Sequence, residues 1–453
     1  MLPAKIAIAR TAGALSRRSG RGATSLPGKL LMRMEPHAIG RLAGRLPQGS
    51  AVISATNGKT TTAAMVAAIL EQRGTRLVHN RAGANMAGGV ASSLLVAARG
   101  RAGIDGYAGL FEVDEFWLDS VVPELRPRAL LLSNLFRDQL DRYGELETIA
   151  DRWAATVAAA PGTRLVLNAD DPLVADLGRD HGQVTYFGVE DDGVALAGMA
   201  HASDSKHCRR CGAPYVYDAV YMGHLGRYHC PNGDARRPRP TVFATDIVLD
   251  GTRGARFALH LGGERRDVDL PLPGLYNVYN ALGAAALTQA LGASADEIVA
   301  GLQATEAAFG RAETVAIGGR ELAILLVKNP AGANEVLRTL ALDGEELDVF
   351  AILNDRIADG RDVSWVWDAD FEQLAGHVRR VTCSGTRAAE LALRLKYAGV
   401  PAERLHVLPA LERGLDAALA DGSGRLVALP TYTAMLALRE LLVARGAAKG
   451  SFA

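Results

Sequence analysis

Cysteine is scarce in this chain. Four residues in 453 are too few for a disulfide framework, which excludes the small secreted folds that depend on one. No apolar run reaches the roughly 18–20 residues of a membrane-crossing helix, so no integral membrane segment is expected. An excess of charge of one sign is lacking as well. Lys plus Arg and Asp plus Glu each number 50, for a formal net charge of zero. A balanced surface lacks the basic footprint of a general nucleic-acid binder. Aromatic residues make up only 6% and are scattered, so no stacking platform for bases stands out. What is abundant, 49% hydrophobic and 22% charged residues, belongs to a globular protein of a reducing compartment. At roughly 150 residues per domain the length points to about three domains.

A local absence marks the N-terminus. From Met1 to Met34 there is no acidic residue, while Arg10, Arg17, Arg18, Arg21 and Arg33 punctuate the segment. Organellar transit peptides share that composition, but there is no long apolar core with a small-residue cleavage site, as a secretory leader requires. We read residues 1–49 as a helical segment, with Ile6, Ala9, Ala14 and Leu15 packing on the next domain and the arginines outside.

From residue 50 short apolar runs alternate with helical stretches. Ala51–Ser54, Arg76–His79, Ala129–Ser133, Arg164–Asn168 and Val184–Phe187 read as strands, which predicts a mostly parallel α/β domain over 50–310. Residues 200–240 break the rhythm. They are rich in Cys, His, Tyr, Arg and Pro, bury little, and need a staple if they fold, so they read as an insertion. A second rhythm, Glu321–Val327, Leu347–Leu353, Arg379–Thr382, Arg404–Val407 and Arg425–Ala428, predicts a doubly wound Rossmann-like α/β domain over 311–453.

The strongest chemical signal is Thr56-Asn57-Gly58-Lys59-Thr60-Thr61, set between an apolar strand and a helix. Backbone N–H groups of such a turn and the following helix N-terminus form an anion site. Lys59 would reach the terminal phosphates of a nucleotide and the Thr60 hydroxyl would ligate Mg2+. The full phosphate-loop spacing asks for Gly at the position of Ile53; the bland alternative is a strand–turn–helix with an exposed lysine. In the insertion, Cys208-x-x-Cys211 is followed by Cys230, and a zinc-ribbon template then asks for cysteine where Gly233 stands. Three thiolates favour a structural Zn2+ site over a ribbon without metal, and His207, His229 and Asp234 are candidate fourth ligands. Cys383, the remaining cysteine, lies at a strand end with no evident histidine partner and reads as buried packing.

Thr-Asn-Gly-Lys-Thr-Thr resembles the phosphate loop of Mur ligases and folylpolyglutamate synthases, with Ala55 where those enzymes usually carry Gly. Phe111-Glu112-Val113-Asp114-Glu115, Asn134–Gly144 (Gln139 in place of the usual His), Asn277-Val-Tyr-Asn280 and Gly310-Arg311 resemble further family marks in the expected order. The resemblance implies a Mur ligase-type P-loop ATPase domain. Glu112 and Thr60 would serve Mg2+, and Asn277, Asn280 and Arg311 would join the loop at the nucleotide. Asn80–Met86, Leu326-Val-Lys328-Asn329-Pro330 and Asn354-Asp355 through Asp359, Asp362 and Trp365 are similar to the MurT branch of that family.

What this branch implies is specific. A bacterial, cytoplasmic ATP-dependent ligase would activate the α-carboxylate of D-Glu in lipid II as an acyl phosphate. Ammonia from a GatD-type glutaminase subunit would then form D-isoglutamine. Asp362 would complete the partner's Cys–His pair, with Asp355 and Asp359 as fallbacks, and the basic start could meet the inner membrane face. The competing readings are an amino-acid-adding Mur ligase, a folylpolyglutamate synthase, and a non-catalytic ATP-gated module that uses its ribbon on nucleic acid.

Overall fold

A computed structural model describes residues 2–18, 25–80, 84–138, 146–199, 203–306, 313–344, 346–420 and 425–448. Among these residues the larger sheet has nine strands. From one edge they are Glu264–Leu270, Gly254–Leu261, Val242–Asp250, Val184–Val189, Arg164–Asn168, Ala129–Leu132, Ser50–Ser54, Ala108–Glu112 and Leu77–His79. The seven from Val242–Asp250 to Leu77–His79 pair in parallel, as the strand–helix alternation predicts.

Side chains along a strand point to opposite faces, so a sheet buried on both faces needs unbroken apolar runs. Ser50–Ser54 is buried at every position. Val52 enters a core with Leu130, Leu132 and Trp153; its neighbour Ile53 enters another with Leu131, Val66 and Leu282. Sequence reading did not anticipate the antiparallel extension over 242–270. There the outer strand Glu264–Leu270 is largely exposed, and alternating polar residues mask its pattern.

The N-terminal segment is helical over Leu2–Arg18, Leu26–Met34 and Ala38–Ala43. Its inward stripe differs from the expected one. Leu2, Ile6, Ala9 and Gly13 are buried, whereas Ala14 is exposed and Leu15 is 61% exposed. Spacings of four, three and four residues keep one helical face inward, and positions 14 and 15 have rotated off it. Arg10 does not face water either. Its guanidinium donates to the Leu95 carbonyl at 2.7 Å and to that of Ala98, at the end of the Ala87–Ala97 helix.

Between Val184–Val189 and Val242–Asp250 the insertion folds as a hairpin, Val216–Met222 against Leu225–His229. Isolated bridges His207–Pro214 and His229–Arg236 close a small knuckle on either side. Arg237 ties it to the main sheet through Asp170 (2.5 Å) and Glu190 (2.6 Å).

The second sheet runs Glu313–Ile317, Arg320–Ile324, Leu426–Pro430, Leu347–Ile352, Val378–Ser384 and Leu405–Val407. Five of these match the expected strands; the sixth, Glu313–Ile317, forms an antiparallel hairpin with Arg320–Ile324. Its turn needs Gly318 and Gly319, both at positive φ, 58° and 76°. The other pairings are parallel, so the loops leaving Arg320–Ile324, Leu347–Ile352 and Leu426–Pro430 share one edge of the sheet.

Candidate nucleotide site and its surroundings

Loops from three adjacent strands of the large sheet converge at their C-terminal ends, where open α/β sheets bind ligands. Ser50–Ser54 leads into Ala55–Gly58, Ala108–Glu112 into Val113–Phe116, and Ala129–Leu132 into Ser133–Asp138. Gly58 is required twice over. Its φ is +87°, and a Cβ there would meet Asn280 Oδ1 at 2.1 Å. The Lys59–Gln72 helix starts without a side-chain cap, so its first N–H groups are left to the cavity beside it.

That cavity, of about 330 Å³, is lined by Thr56–Thr61 and by loop and helix residues of both domains. Asn134 braces the loop from one side. Its Oδ1 accepts from the Asn57 N–H at 2.9 Å, and its Nδ2 donates to the Asn57 carbonyl at 3.0 Å. The second domain braces it from the other. Asn57 and Asn329 exchange side-chain hydrogen bonds at 3.1 and 3.3 Å, and Lys328 pairs with Asp138. Asn280 Oδ1 accepts from Thr62 Oγ1 at 3.2 Å, and its Nδ2 donates to Asn277 Oδ1 at 3.0 Å. Thus Thr56, Asn57, Gly58, Lys59, Thr60, Thr61, Asn277 and Asn280 all line one cavity. Arg311 lies outside the described residues, as do Gly310, Gln139 and Gly144.

Lys59 is buried and its Nζ lies 2.6 Å from Glu115 Oε2. Burial opposes its charge, yet Glu115, Asp114 and Asp138 outweigh that cost and shift its pKa upward. Burial likewise opposes ionisation of Glu115, but Lys59 and Lys328 hold it below the usual carboxylate range. Asp114 is pushed up by burial and by Glu115. Glu112 is placed differently from its neighbours. Its backbone is clasped by the Asn80 side chain, at 3.0 and 2.8 Å, and it is not among the cavity-lining residues, whereas Asp114 and Glu115 are. A hydroxyl at Thr60 and carboxylates at Asp114 and Glu115 are the hard oxygen donors that suit Mg2+.

Sequence reasoning quoted Asp114, Glu115, Asp138, Lys328 and Asn329 in motifs but gave none of them a role in the site. Lys328 and Asn329 reach it across a sequence gap that no local pattern reveals.

The thiols of Cys208, Cys211 and Cys230 lie within 4.8 Å of one another, with 3.4 Å between those of Cys211 and Cys230. Tetrahedral Zn–S bonds of about 2.3 Å place sulfurs about 3.8 Å apart, so this donor set fits zinc. Among the described residues none of the candidate fourth ligands joins the three thiols in that cluster. His229 instead lies 3.7 Å from Asp218, and His207 is exposed.

The loop after Leu347–Ile352 carries three aspartates with different surroundings. Asp355 accepts from Thr386 Oγ1 and Arg387 Nε, both at 2.8 Å. Asp359 is buried and accepts from the Thr433 N–H at 2.7 Å and from its hydroxyl. Asp362 is exposed, and its Oδ1 takes the Ser364 N–H at 2.8 Å, which holds its pKa low. Beside it Trp367 is half exposed and meets Tyr397 edge-on at 5.8 Å. Cys383 is fully buried, and burial alone pushes its thiol up to about 12.

Two family models match the chain, the Mur ligase middle domain over residues 53–232 and the MurT ligase C-terminal domain over 326–435. Among solved structures, a pseudomurein peptide ligase type C from Methanothermus fervidus aligns with a TM-score of 0.67 at 22% identity, covering 88% of this chain and 79% of that one. A Mycobacterium tuberculosis folylpolyglutamate synthase, complexed with ADP and AMPPCP, aligns at 0.59 and 19%, covering 92% and 98%. These establish the Mur ligase fold. The lipid II isoglutaminyl synthase (glutamine-hydrolyzing) subunit MurT of Staphylococcus aureus N315 is 33% identical over 96% of this chain and 97% of its own length. Its Streptococcus pneumoniae R6 counterpart is 33% identical over 94% of each. A phosphate loop braced from both domains, thiols clustered in an insertion and a near full-length match place this chain in the MurT family.

Proposed function

We propose that this chain is the synthetase subunit of a glutamine-hydrolysing lipid II isoglutaminyl synthase. It is an ATP-dependent carbon–nitrogen ligase of peptidoglycan biosynthesis, converting the α-carboxylate of D-Glu in the lipid II stem peptide to the amide of D-isoglutamine. Near full-length identity to subunits of that name carries the reading.

A carboxylate resists attack by ammonia because an oxide would have to leave. Phosphorylation by ATP gives an acyl phosphate with a good leaving group. Lys59 lies where it neutralises charge developing on the transferred phosphoryl oxygens, and the Gly58–Thr61 N–H groups hold the remaining phosphates. Bound Mg2+ would add charge neutralisation, held by Thr60 with Asp114 and Glu115; the cavity lining favours these two over Glu112. Asn277 and Asn280 orient the nucleotide from the Leu275–Ala290 helix.

Ammonia comes from a partner. The described residues hold no exposed thiol beside a histidine outside the cysteine cluster, and Cys383 is buried and hard to ionise. A GatD-type glutaminase fits that need, with Asp362 orienting and charging the partner's histidine. Asp355 and Asp359 already have their own partners, which supports Asp362 for the role. We assign nucleotide chemistry to residues 50–310 and partner recognition to 311–453, after the helical segment 1–49.

Cys208, Cys211 and Cys230 supply three thiolate donors for structural Zn2+. No described helix is long and apolar enough to cross a membrane, so contact with the membrane comes through the lipid-linked substrate.

Mass spectrometry of lipid II incubated with this chain, ATP, Mg2+ and ammonium tests the reading. Conversion of the D-Glu carboxylate to amide, lost in Lys59→Ala, is expected. No product with ammonium, and none when glutaminase and glutamine are added, would overturn it.

A further inference from the structure

The charged residues lining the cavity divide into two groups. Lys59, Glu115, Asp114, Asp138 and Lys328 gather at the phosphate loop and interact with one another. Glu335 stands apart. It lies on the Pro330–Ala341 helix, six residues beyond Asn329, which at 1.5 Å per residue is about 9 Å along the axis from the contact with Asn57.

The same cavity also has an apolar lining, Leu272, Tyr276, Leu325, Ala331 and Val336, the kind of surface a nucleobase packs on. Glu335 itself is 5% exposed, and none of the hydrogen bonds and ion pairs among the described residues uses its carboxylate. Arg338, one turn on, is committed elsewhere, donating to the carbonyls of Tyr221 at 3.1 Å and Val194 at 2.8 Å. Burial pushes Glu335 up to about 7, and its charge in turn adds to the burial that raises the Tyr276 phenol. A buried carboxylate with no protein donor, facing a cavity, is costly unless a ligand supplies the hydrogen bond.

Resting on the nucleotide reading above, we infer that Glu335 reads the base, its carboxylate accepting a hydrogen bond from the exocyclic amino group of adenine. The phosphates are held by groups common to any nucleoside triphosphate, so a contact to the base such as this one adds selectivity. Glu335 is a specificity-determining residue; it takes no part in phosphoryl transfer.

The test compares binding of ATP and of purine riboside triphosphate, which lacks only the 6-amino group, to the full chain with Mg2+. A hydrogen bond to a charged acceptor predicts about tenfold or more tighter binding of ATP by the unaltered protein. Glu335→Gln keeps an acceptor oxygen and retains part of that ratio. Glu335→Met keeps the volume without the acceptor and brings the ratio to about one. Equal binding of both nucleotides by the unaltered protein, or an unchanged ratio in Glu335→Met, overturns the inference and leaves the ATP site standing. Failure of either nucleotide to bind overturns both.

Discussion

Two acidic clusters in this protein are made from the same residue types and do opposite things. Asp114, Glu115 and Asp138 face inward, are largely buried, and are set against Lys59 and Lys328. Asp355, Asp359 and Asp362 share one loop; Asp355 and Asp359 each accept two hydrogen bonds and Asp359 is buried, whereas Asp362 faces solvent. The inner cluster is compensated by the two lysines set among it. The outer one leaves Asp362 facing solvent with no cation beside it among the described residues' ion pairs. Counting acidic residues would not separate them; counting their donors does.

Lys59→Ala should blur the comparison most. It removes the inner cluster's central cation, and amidation should fall about a hundred- to thousandfold with ammonium and glutamine alike, measured by product formation. Asp362→Asn should split the two activities. Glutamine-dependent amidation by the assembled complex should drop about a hundredfold or more, while ammonium-dependent amidation persists. Equal losses with both nitrogen sources would mean that the outer cluster serves the ligase itself.

Asp359→Ala should act on stability instead, costing about 1–2 kcal/mol in denaturant unfolding because the part-buried Thr433 N–H loses its acceptor. A further effect, confined to one range of pH, concerns Glu335. Glu335 is raised from 4.5 to about 7 by burial, so between those values the unfolded chain releases a proton that the folded chain keeps. Stability should therefore fall as pH rises through that window, and the penalty is complete above it. Glu335→Gln should be more stable than the unaltered protein at pH 8 by up to about 3 kcal/mol, and nearly equal to it below pH 4.5, by calorimetry.

The inner site was legible where its parts are local. Thr56–Thr61 stands between a strand and a helix, and that order alone places N–H groups and a lysine together. Which carboxylates line the cavity was harder to foresee. Glu112 ends its strand in register, clasped by Asn80, and it is the turn beyond that carries Asp114 and Glu115 into the cavity. Nothing local announces the pairing of Asn57 with Asn329, since 272 positions separate them. The N-terminal stripe was misread by one rotation, because Ala14 and Leu15 are apolar but lie off the face that Leu2, Ile6, Ala9 and Gly13 share. In the outer loop, the motif put Asp362 before Asp355 and Asp359, and the packing adds which of the three is exposed.

The shared edge of the second sheet has a mechanical meaning. Lys328 follows Arg320–Ile324 and Asp362 lies in the loop after Leu347–Ile352, with Leu426–Pro430 hydrogen-bonded between those strands. Two strand spacings, about 10 Å, separate the roots of these loops. Lys328, which meets Asp138 at the phosphate loop, and the solvent-facing Asp362 are therefore mounted on one sheet edge, so a force applied at either is carried to the other through the same three strands.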